Sequence, residues 1–375
     1  MNEEYSAKTL LRIAKRYNNA KRTYLLVNTL QAKHIPVSPL KALDMMNAFG
    51  AIIKSKYGQG GLVIGFAETA TAIGAAVAVL CGCDYIHTTR EREEGEPFLD
   101  FSEEHSHAVE QKLLKRDIAK YIDNADKLIF VDDEFTTGKT LINIIDKLIK
   151  EFPTAAKKRI IAASVIDRIS AENEARLAEK GIECVSLLKL PFSDYSSEVE
   201  SVSATAPKIA AELPECAADV KIINTPRPLP DPRLGVEASE YEKTLKNISE
   251  GLLDELAKEL NSAEKILVLG TEECMYPAII FGAEIERNYP LKSVKSHSTT
   301  RSPIAVSEKE DYPIFGGYGL SGFYDKHRAT FIYNPEYYDV AVIVTDSESD
   351  VESALKDIIK IFGSCGTKRF VLVKG

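Results

Sequence analysis

No stretch of the 375-residue sequence is apolar for long enough to cross a bilayer. The most apolar run, Ala70 to Cys81, is too short, and Glu68 interrupts its approach. The opening segment, MNEEYSAKTLLRIAKRY, lacks the apolar core of a signal peptide. The expectation is a cytoplasmic protein with no membrane association. Cysteine is sparse too. Of six, only Cys81 and Cys83 are close, and a C-x-C pair without nearby ligands is not a zinc pattern. Free, buried thiols in a reducing cytosol are expected. Positive charge is in deficit: 47 Lys and Arg against 56 Asp and Glu give −9. Such a surface repels phosphate backbones, so no nucleic-acid partner is expected, although a local pocket can still take a small anion. With 45% apolar and 27% charged residues, the composition is that of a folded protein. It excludes a disordered tail, a collagen and a disulfide-stapled miniprotein, and the length suggests two domains.

From Leu62 the pattern becomes regular. GLVIGF, DYIHT, KLIFVDD, RIIAASVI and CVSLLKL read as strands, separated by TATAIGAAVAVL, a helix near 108–125, LINIIDKLIK and AENEARLAEK. Ser38 before Pro39 starts an earlier helix. Strands apolar along their length, alternating with helices, indicate a doubly wound parallel sheet covered on both faces. TPRPLPDPRLGV is proline-rich and interrupts this rhythm. A helix over roughly 238–261 follows, alternation resumes at KILVLG, and the last strand is RFVLVK. The second half reads as a worn copy of the first. Gly65–Thr69 matches Gly270–Cys274, His87-Thr88-Thr89-Arg90 matches Ser298-Thr299-Thr300-Arg301, LIFVDDEFTTGKTLINII matches VIVTDSESDVESALKDII, and Lys158-Arg159-Ile160 matches Lys368-Arg369-Phe370, in one order and at nearly constant offset.

The strongest chemical signal is LIFVDDEFTTGKT, residues 128–140. A buried strand ends on two carboxylates, Asp132 and Asp133, and a hydroxyl-rich turn then opens a helix. Turn amides, hydroxyls and the positive helix N-terminus make an anion cradle. The paired acids cannot share that anion. They suit neutral vicinal hydroxyls, or a magnesium ion and its waters. A P-loop is rejected, because position 133 would have to be glycine. The plain alternative is a capped helix with a glycine turn.

This segment resembles the phosphoribosyl-diphosphate (PRPP) signature of type I phosphoribosyltransferases, with Glu134 replacing the usual first apolar residue after the acids. The resemblance implies that Asp132 and Asp133 hold the ribose hydroxyls and Mg2+, directly or through water, and that Thr137, Gly138, Lys139 and Thr140 hold the 5-phosphate. Thr136 would lie where some members face the acceptor base. Gly65–Thr69 falls where the family places its pyrophosphate loop, so Ala67, Glu68 and Thr69 join the PRPP-binding set. Residues 88–107 fall where it places a mobile catalytic loop. There Arg90 would neutralise departing pyrophosphate, and His105 and His107 would act as acids or hydrogen-bond donors. Glu103, Glu104, His105 and His107 as a metal site, or a plain solvated loop, are the rival readings of that stretch.

RIAKRYNNAKRTYLLVNTLQAKHIPVSP, GFAETATAIG, HTTRE, FSEEHSHA and VDDEFTTGKT together resemble the phosphoribosyltransferase family of stress-response and tellurite-resistance gene clusters. HSTTRSP, beginning at His297, resembles the TRSP domain that follows it. The resemblance implies transfer of ribose 5-phosphate from Mg-PRPP to an unidentified base-like acceptor, releasing pyrophosphate, in the synthesis of a nucleoside-like metabolite. It implies ATP-grasp and phosphatase-type partners, and a homodimer is expected. The rivals are a PRPP-sensing regulator without turnover, and a nucleoside phosphorylase or phosphatase using the same pocket. The expected architecture is a type I phosphoribosyltransferase-like domain over 1–225, with a hood from 1–60 and part of 190–225. A linker over 226–237 and a second, degenerate α/β domain of similar topology over 238–375 complete it. Lys33 and His34 would face substrate from the hood or lie in an exposed loop. Asp167-Arg168 lies at the site edge of its strand, facing ligand or closing that edge as an ion pair. The second half keeps Asp346 but has Ser347 beside it. Its loop at Asp350–Ser353 is acidic and lacks glycine, so it is not expected to bind PRPP by this route.

Overall fold

The computed structural model describes residues 5–19, 22–91, 97–101, 111–116 and 118–375. In chain order the strands are β1 (Leu11–Lys15), β2 (Tyr24–Asn28), β3 (Leu62–Gly65), β4 (Asp84–His87), β5 (Phe98–Asp100), β6 (Lys112–Leu114), β7 (Lys127–Phe135), β8 (Arg159–Asp167), β9 (Ile182–Lys189), β10 (Lys208–Ile209), β11 (Asp219–Asn224), β12 (Lys265–Gly270), β13 (Ser293–Ser298), β14 (Gly317–Ser321), β15 (Ala329–Tyr333), β16 (Val340–Thr345) and β17 (Arg369–Lys374).

The chain forms two compact units. The upstream unit comprises Asp44–Ser193 and Pro230–Thr244; the downstream unit comprises Met1–Leu43, Asp194–Leu229 and Leu245–Gly375. This division departs from a linear cut near 226–237. Residues 1–43 and 194–225, read from sequence as part of the first domain and its hood, and the first linker residues 226–229 belong to the downstream unit.

The upstream unit is the expected doubly wound parallel sheet, in the order β4-β3-β7-β8-β9. β3 is buried throughout and β8 in all but its first residue, as a sheet covered on both faces requires. One side packs Leu62, Ile64 and Phe130 against Ile118, Ile122, Ile144 and Leu148. The helix Thr71–Cys81 is small-residued and buried almost throughout. Its residues let β4 lie close: Tyr85 donates its hydroxyl to Thr71 O at 2.6 Å, and a Cβ on Gly65 would meet the Tyr85 hydroxyl oxygen at 2.8 Å. One expected element is different. Among the described residues of the helix placed near 108–125, only Ile118–Asn124 is helical, because Lys112–Leu114 forms β6 and pairs antiparallel with β5. Cross-strand pairing there overrides local helix preference.

The downstream sheet, β13-β12-β16-β17-β11, is also wholly parallel and repeats the upstream order. The copy extends to single hydrogen bonds. Thr88 N–H donates to Gly65 O at 2.9 Å, and Thr299 N–H to Gly270 O at 3.1 Å. Ala67 N–H donates to Thr88 Oγ1 at 2.8 Å, and Glu272 N–H to Thr299 Oγ1 at 3.0 Å. Thr89 exchanges backbone hydrogen bonds with Lys112 in β6, and Thr300 with Phe331 in β15. The hairpin β14–β15 is therefore the counterpart of β5–β6. The fifth position is filled differently: β9 follows β8 in sequence, whereas β11 precedes the rest of its sheet.

Each sheet also receives an arm from the other half of the sequence. Val236 exchanges two backbone hydrogen bonds of 2.8 Å with Tyr85 of β4. Val37 exchanges the equivalent pair, of 3.0 and 2.7 Å, with Ser296 of β13. Each arm stands just before a long helix, Ala238–Glu255 in one case and Pro39–Tyr57 in the other. Ser38 caps the second helix, accepting the Lys41 amide at 3.2 Å and donating to Glu286 at 2.8 Å.

Candidate active site

In the upstream sheet β3 is followed in sequence by β4 on one side and, after the β5–β6 hairpin, has β7 on the other. The strand order thus reverses between β3 and β7, and in such sheets ligands gather beyond the carboxyl ends at the reversal. The loop after β3, residues 66–70, and the loop after β7, residues 136–138, flank it.

β7 continues through the acids to Phe135, two residues beyond the expected strand. Asp132 pairs in register with Ser164 of β8, and Glu134 with Ile166. Side chains alternate along a strand, so Asp132 and Glu134 share one face and Asp133 takes the other. Asp132 Oδ1 accepts the Asp133 amide at 2.9 Å. Burial holds the Asp132 carboxyl well above the ordinary carboxylate range, and the adjacent Asp133 carboxylate adds to this. A neighbouring cation or a hydroxyl donor would relieve both effects.

Gly138 ends the turn at φ 69°, the left-handed region, and N-caps the helix Lys139–Glu151. A Cβ there would lie 3.1 Å from the Leu177 side chain. No side chain caps this helix start; the Lys139 amide lies 3.4 Å from Thr137 Oγ1. Thr137, Lys139 and Thr140 are exposed and Thr136 is half-buried. The turn therefore offers amide donors, hydroxyls and the helix dipole at the end of an acid-tipped strand.

Across the reversal, the 66–70 loop is anchored from below. Phe66 N–H donates to Val131 O at 3.0 Å, and Ala67 is held by Thr88 Oγ1, which in turn donates to Gln111 Oε1 at 2.9 Å. The Ala67–Glu68 peptide is cis. Ala67 and Glu68 are buried and Thr69 is half-buried. Thr88 was not among the expected site residues; its signal was the repeated Thr-Thr-Arg. Arg90 is half-buried at the end of β4's extension, just past the Thr89–Lys112 bridge. Glu103, Glu104, His105 and His107 lie outside the described residues. Among those described, no three His, Cys, Asp or Glu side chains are grouped to hold a metal.

Arg168 takes the ion-pair reading. It is 1% exposed, its Nη1 lies 2.7 Å from Glu134 Oε1, it donates to Ser193 O, and it stacks on Phe192 at 5.4 Å. Asp167 Oδ1 accepts the Ile169 amide at 2.8 Å, and burial raises its pKa. Lys33 and His34 are neither exposed nor in the upstream unit. Both are buried in the downstream unit, where Lys33 Nζ lies 3.4 Å from the carbonyls of Glu272 and Thr299.

In the downstream unit the positions equivalent to the acid pair and the glycine turn are occupied differently. Asp346 accepts the Tyr324 hydroxyl, Ser347 donates to Phe323 O at 2.8 Å, and Val351 caps the helix Glu352–Ser364.

Residues 10–189 match the phosphoribosyl transferase family model, and residues 231–362 match the TRSP domain C-terminal to it. No curated protein matches. Among solved structures, adenine phosphoribosyltransferase from Giardia lamblia, complexed with 9-deazaadenine, is 15% identical. That match covers 50% of this chain and 97% of that one, with a TM-score of 0.36. The enzyme of the same name from Thermoanaerobacter pseudethanolicus is also 15% identical, covering 49% and 97%, with a TM-score of 0.33. Orotate phosphoribosyltransferase from Aeropyrum pernix is 17% identical, covering 40% and 72%, with a TM-score of 0.28. Residues 10–189 thus form a phosphoribosyl transferase domain, and residues 231–362 the TRSP domain C-terminal to it.

Proposed function

We propose that the upstream unit transfers ribose 5-phosphate from PRPP to a base-like nucleophile and releases pyrophosphate. One observation carries this: the acid-tipped end of β7 runs directly into a glycine-capped helix start, beside a strand-order reversal. An anion cradle one turn from a diol-binding acid pair fits the two ends of a ribose 5-phosphate.

Thr137 to Thr140 would bind the 5-phosphate through amides and hydroxyls. Asp132 and Asp133 would accept hydrogen bonds from the ribose 2- and 3-hydroxyls. The 66–70 loop would present its backbone to the diphosphate, with Arg90 taking up its charge as it leaves. The acceptor attacks C1 as the C1–oxygen bond to pyrophosphate breaks. The protein contributes alignment and charge stabilisation rather than a covalent intermediate. The family implies magnesium, and the adjacent carboxylates fit it: burial first, and then the neighbouring Asp133 charge, raise the Asp132 pKa, and a cation there would offset both. Bound there, it supplies charge neutralisation of the diphosphate. We place the protein in the cytoplasm, in keeping with six free thiols and with described helices too short or too polar to cross a membrane.

Calorimetric titration of PRPP into the full chain, with and without Mg2+, tests the pocket. Magnesium-dependent binding that weakens in Asp133→Asn is expected. A folded protein that binds PRPP in neither condition overturns the reading. Multiple-turnover pyrophosphate release with a panel of planar nitrogen heterocycles then separates a transferase from a PRPP sensor.

A further inference from the structure

In the downstream unit, the counterpart of the 66–70 loop carries a buried acid. Glu272 stands where the upstream loop has Ala67, an equivalence fixed by the matching amide-to-threonine hydrogen bonds. Glu272 is 0% exposed and has a left-handed φ of 47°. Its carboxylate is surrounded by donors from separate parts of the fold. Arg328 Nη2 lies 3.0 Å and Arg301 Nε 3.3 Å from Oε2. The Phe323 amide donates to Oε1 at 3.0 Å, and the Thr330 hydroxyl lies 3.4 Å from the same oxygen. Arg301 also reaches Glu273 Oε1 at 3.4 Å.

Two guanidiniums, a backbone amide and a hydroxyl converging on one buried point form a donor set suited to phosphate. Arg328 and Thr330 belong to or adjoin β15, and Phe323 lies in the β14–β15 connection. That hairpin is the counterpart of β5–β6. One side chain therefore ties the copy of the hairpin to the copy of the loop.

We infer that the downstream unit contains an anion site filled by the chain's own carboxylate. Glu272 stands in for a phosphoryl group and seals the second copy, so that removing it opens a site for inorganic phosphate or pyrophosphate. This goes beyond the transferase reading and does not depend on it. It explains how a duplicated unit keeps the loop and hairpin geometry after losing its phosphate turn: the charge once supplied by a ligand became part of the chain.

The test uses the full chain with Glu272→Ala, read by thermal unfolding with phosphate or with chloride at equal ionic strength. Wild type supplies the baseline, including any phosphate bound upstream. The expected result is a lower Tm for the variant and a phosphate-specific rise in Tm larger than in wild type. Adding Arg328→Gln should abolish that excess. Should Glu272→Ala not fold, Glu272→Ser, which also vacates the carboxylate position, should show the same excess. A phosphate response equal to that of wild type in the folded variant, or an excess that survives Arg328→Gln, overturns the inference.

Discussion

Glu134 and Arg168 form an ion pair of 2.7 Å that joins the ends of β7 and β8 beside the proposed ribose pocket. The arginine is almost wholly buried, whereas the glutamate side chain is 23% exposed. Removing either partner leaves the other charge poorly hydrated, and the arginine suffers more. Glu134→Gln should therefore cost about 2–3 kcal/mol in chemical denaturation. The apolar double variant Glu134→Leu with Arg168→Met should recover most of that loss, since replacing a whole buried pair is far milder than orphaning one charge.

Asp132 should show opposite signs for stability and activity. The folded Asp132 carboxyl binds its proton more tightly than the unfolded chain, whose value is near 3.8, so the ionised form costs stability at all higher pH. Asp132→Asn should raise stability at neutral pH by about 1 kcal/mol. Either asparagine variant should lower turnover by about a hundredfold or more. A pyrophosphate-release assay beside a denaturation curve reads both; wild-type turnover in Asp133→Asn would sink the proposed role of the pair.

Gly138 and Gly181 share a left-handed φ, 69° and 71°, but differ in surroundings: Leu177 crowds Gly138, and nothing lies within 4 Å of a Cβ on Gly181. Alanine at 181 should cost only the backbone term, about 1 kcal/mol. Alanine at 138 should cost more, and should also weaken PRPP binding by displacing the helix start. Equal losses at the two sites would show that Leu177 yields freely.

His297 reports on the downstream unit. Burial lowers its pKa from 6.5 to about 4; nearby Lys33 pushes the same way, while its hydrogen bond to Tyr333 O opposes the shift. The unfolded chain takes the proton first as pH falls, so stability should drop between about pH 6.5 and 4, by up to about 3 kcal/mol. His297→Gln, read by denaturation at several pH values, should flatten that window.

The site was legible where chemistry and local pattern coincide. The apolar strand, the two acids and the glycine before an amphipathic helix all lie in one continuous stretch from Lys127 to Glu151, and each constrains its own backbone. The likeness of the two sheets was legible for the same reason, since the motifs that match between the halves are strand ends. Partner choice was not. Val37 and Val236 each sit before a helix, and no periodicity tells which sheet edge each will join. Lys112–Leu114 looks helical until Phe98–Asp100 is placed beside it. Lys33 reads as a surface lysine because its burial depends on residues more than two hundred positions later. Glu68 and Glu272 look alike in sequence as loop acids, and nothing local foretells the two arginines that converge on the second.

The exchange of arms sets an order of events during synthesis. Strands β3 to β9 leave the ribosome well before Val236, so the β4 edge stays bare until the chain has grown past the proline-rich stretch. The opposite debt lasts longer. Ala14, Leu25 and Val27 of the β1–β2 hairpin are buried against Ile304, Ile314 and Tyr333. At bacterial or eukaryotic elongation rates, about 5–20 residues per second, that greasy hairpin waits roughly 15–60 seconds for its cover. A segment made some three hundred residues before its cover thus has its apolar face shielded only late in synthesis.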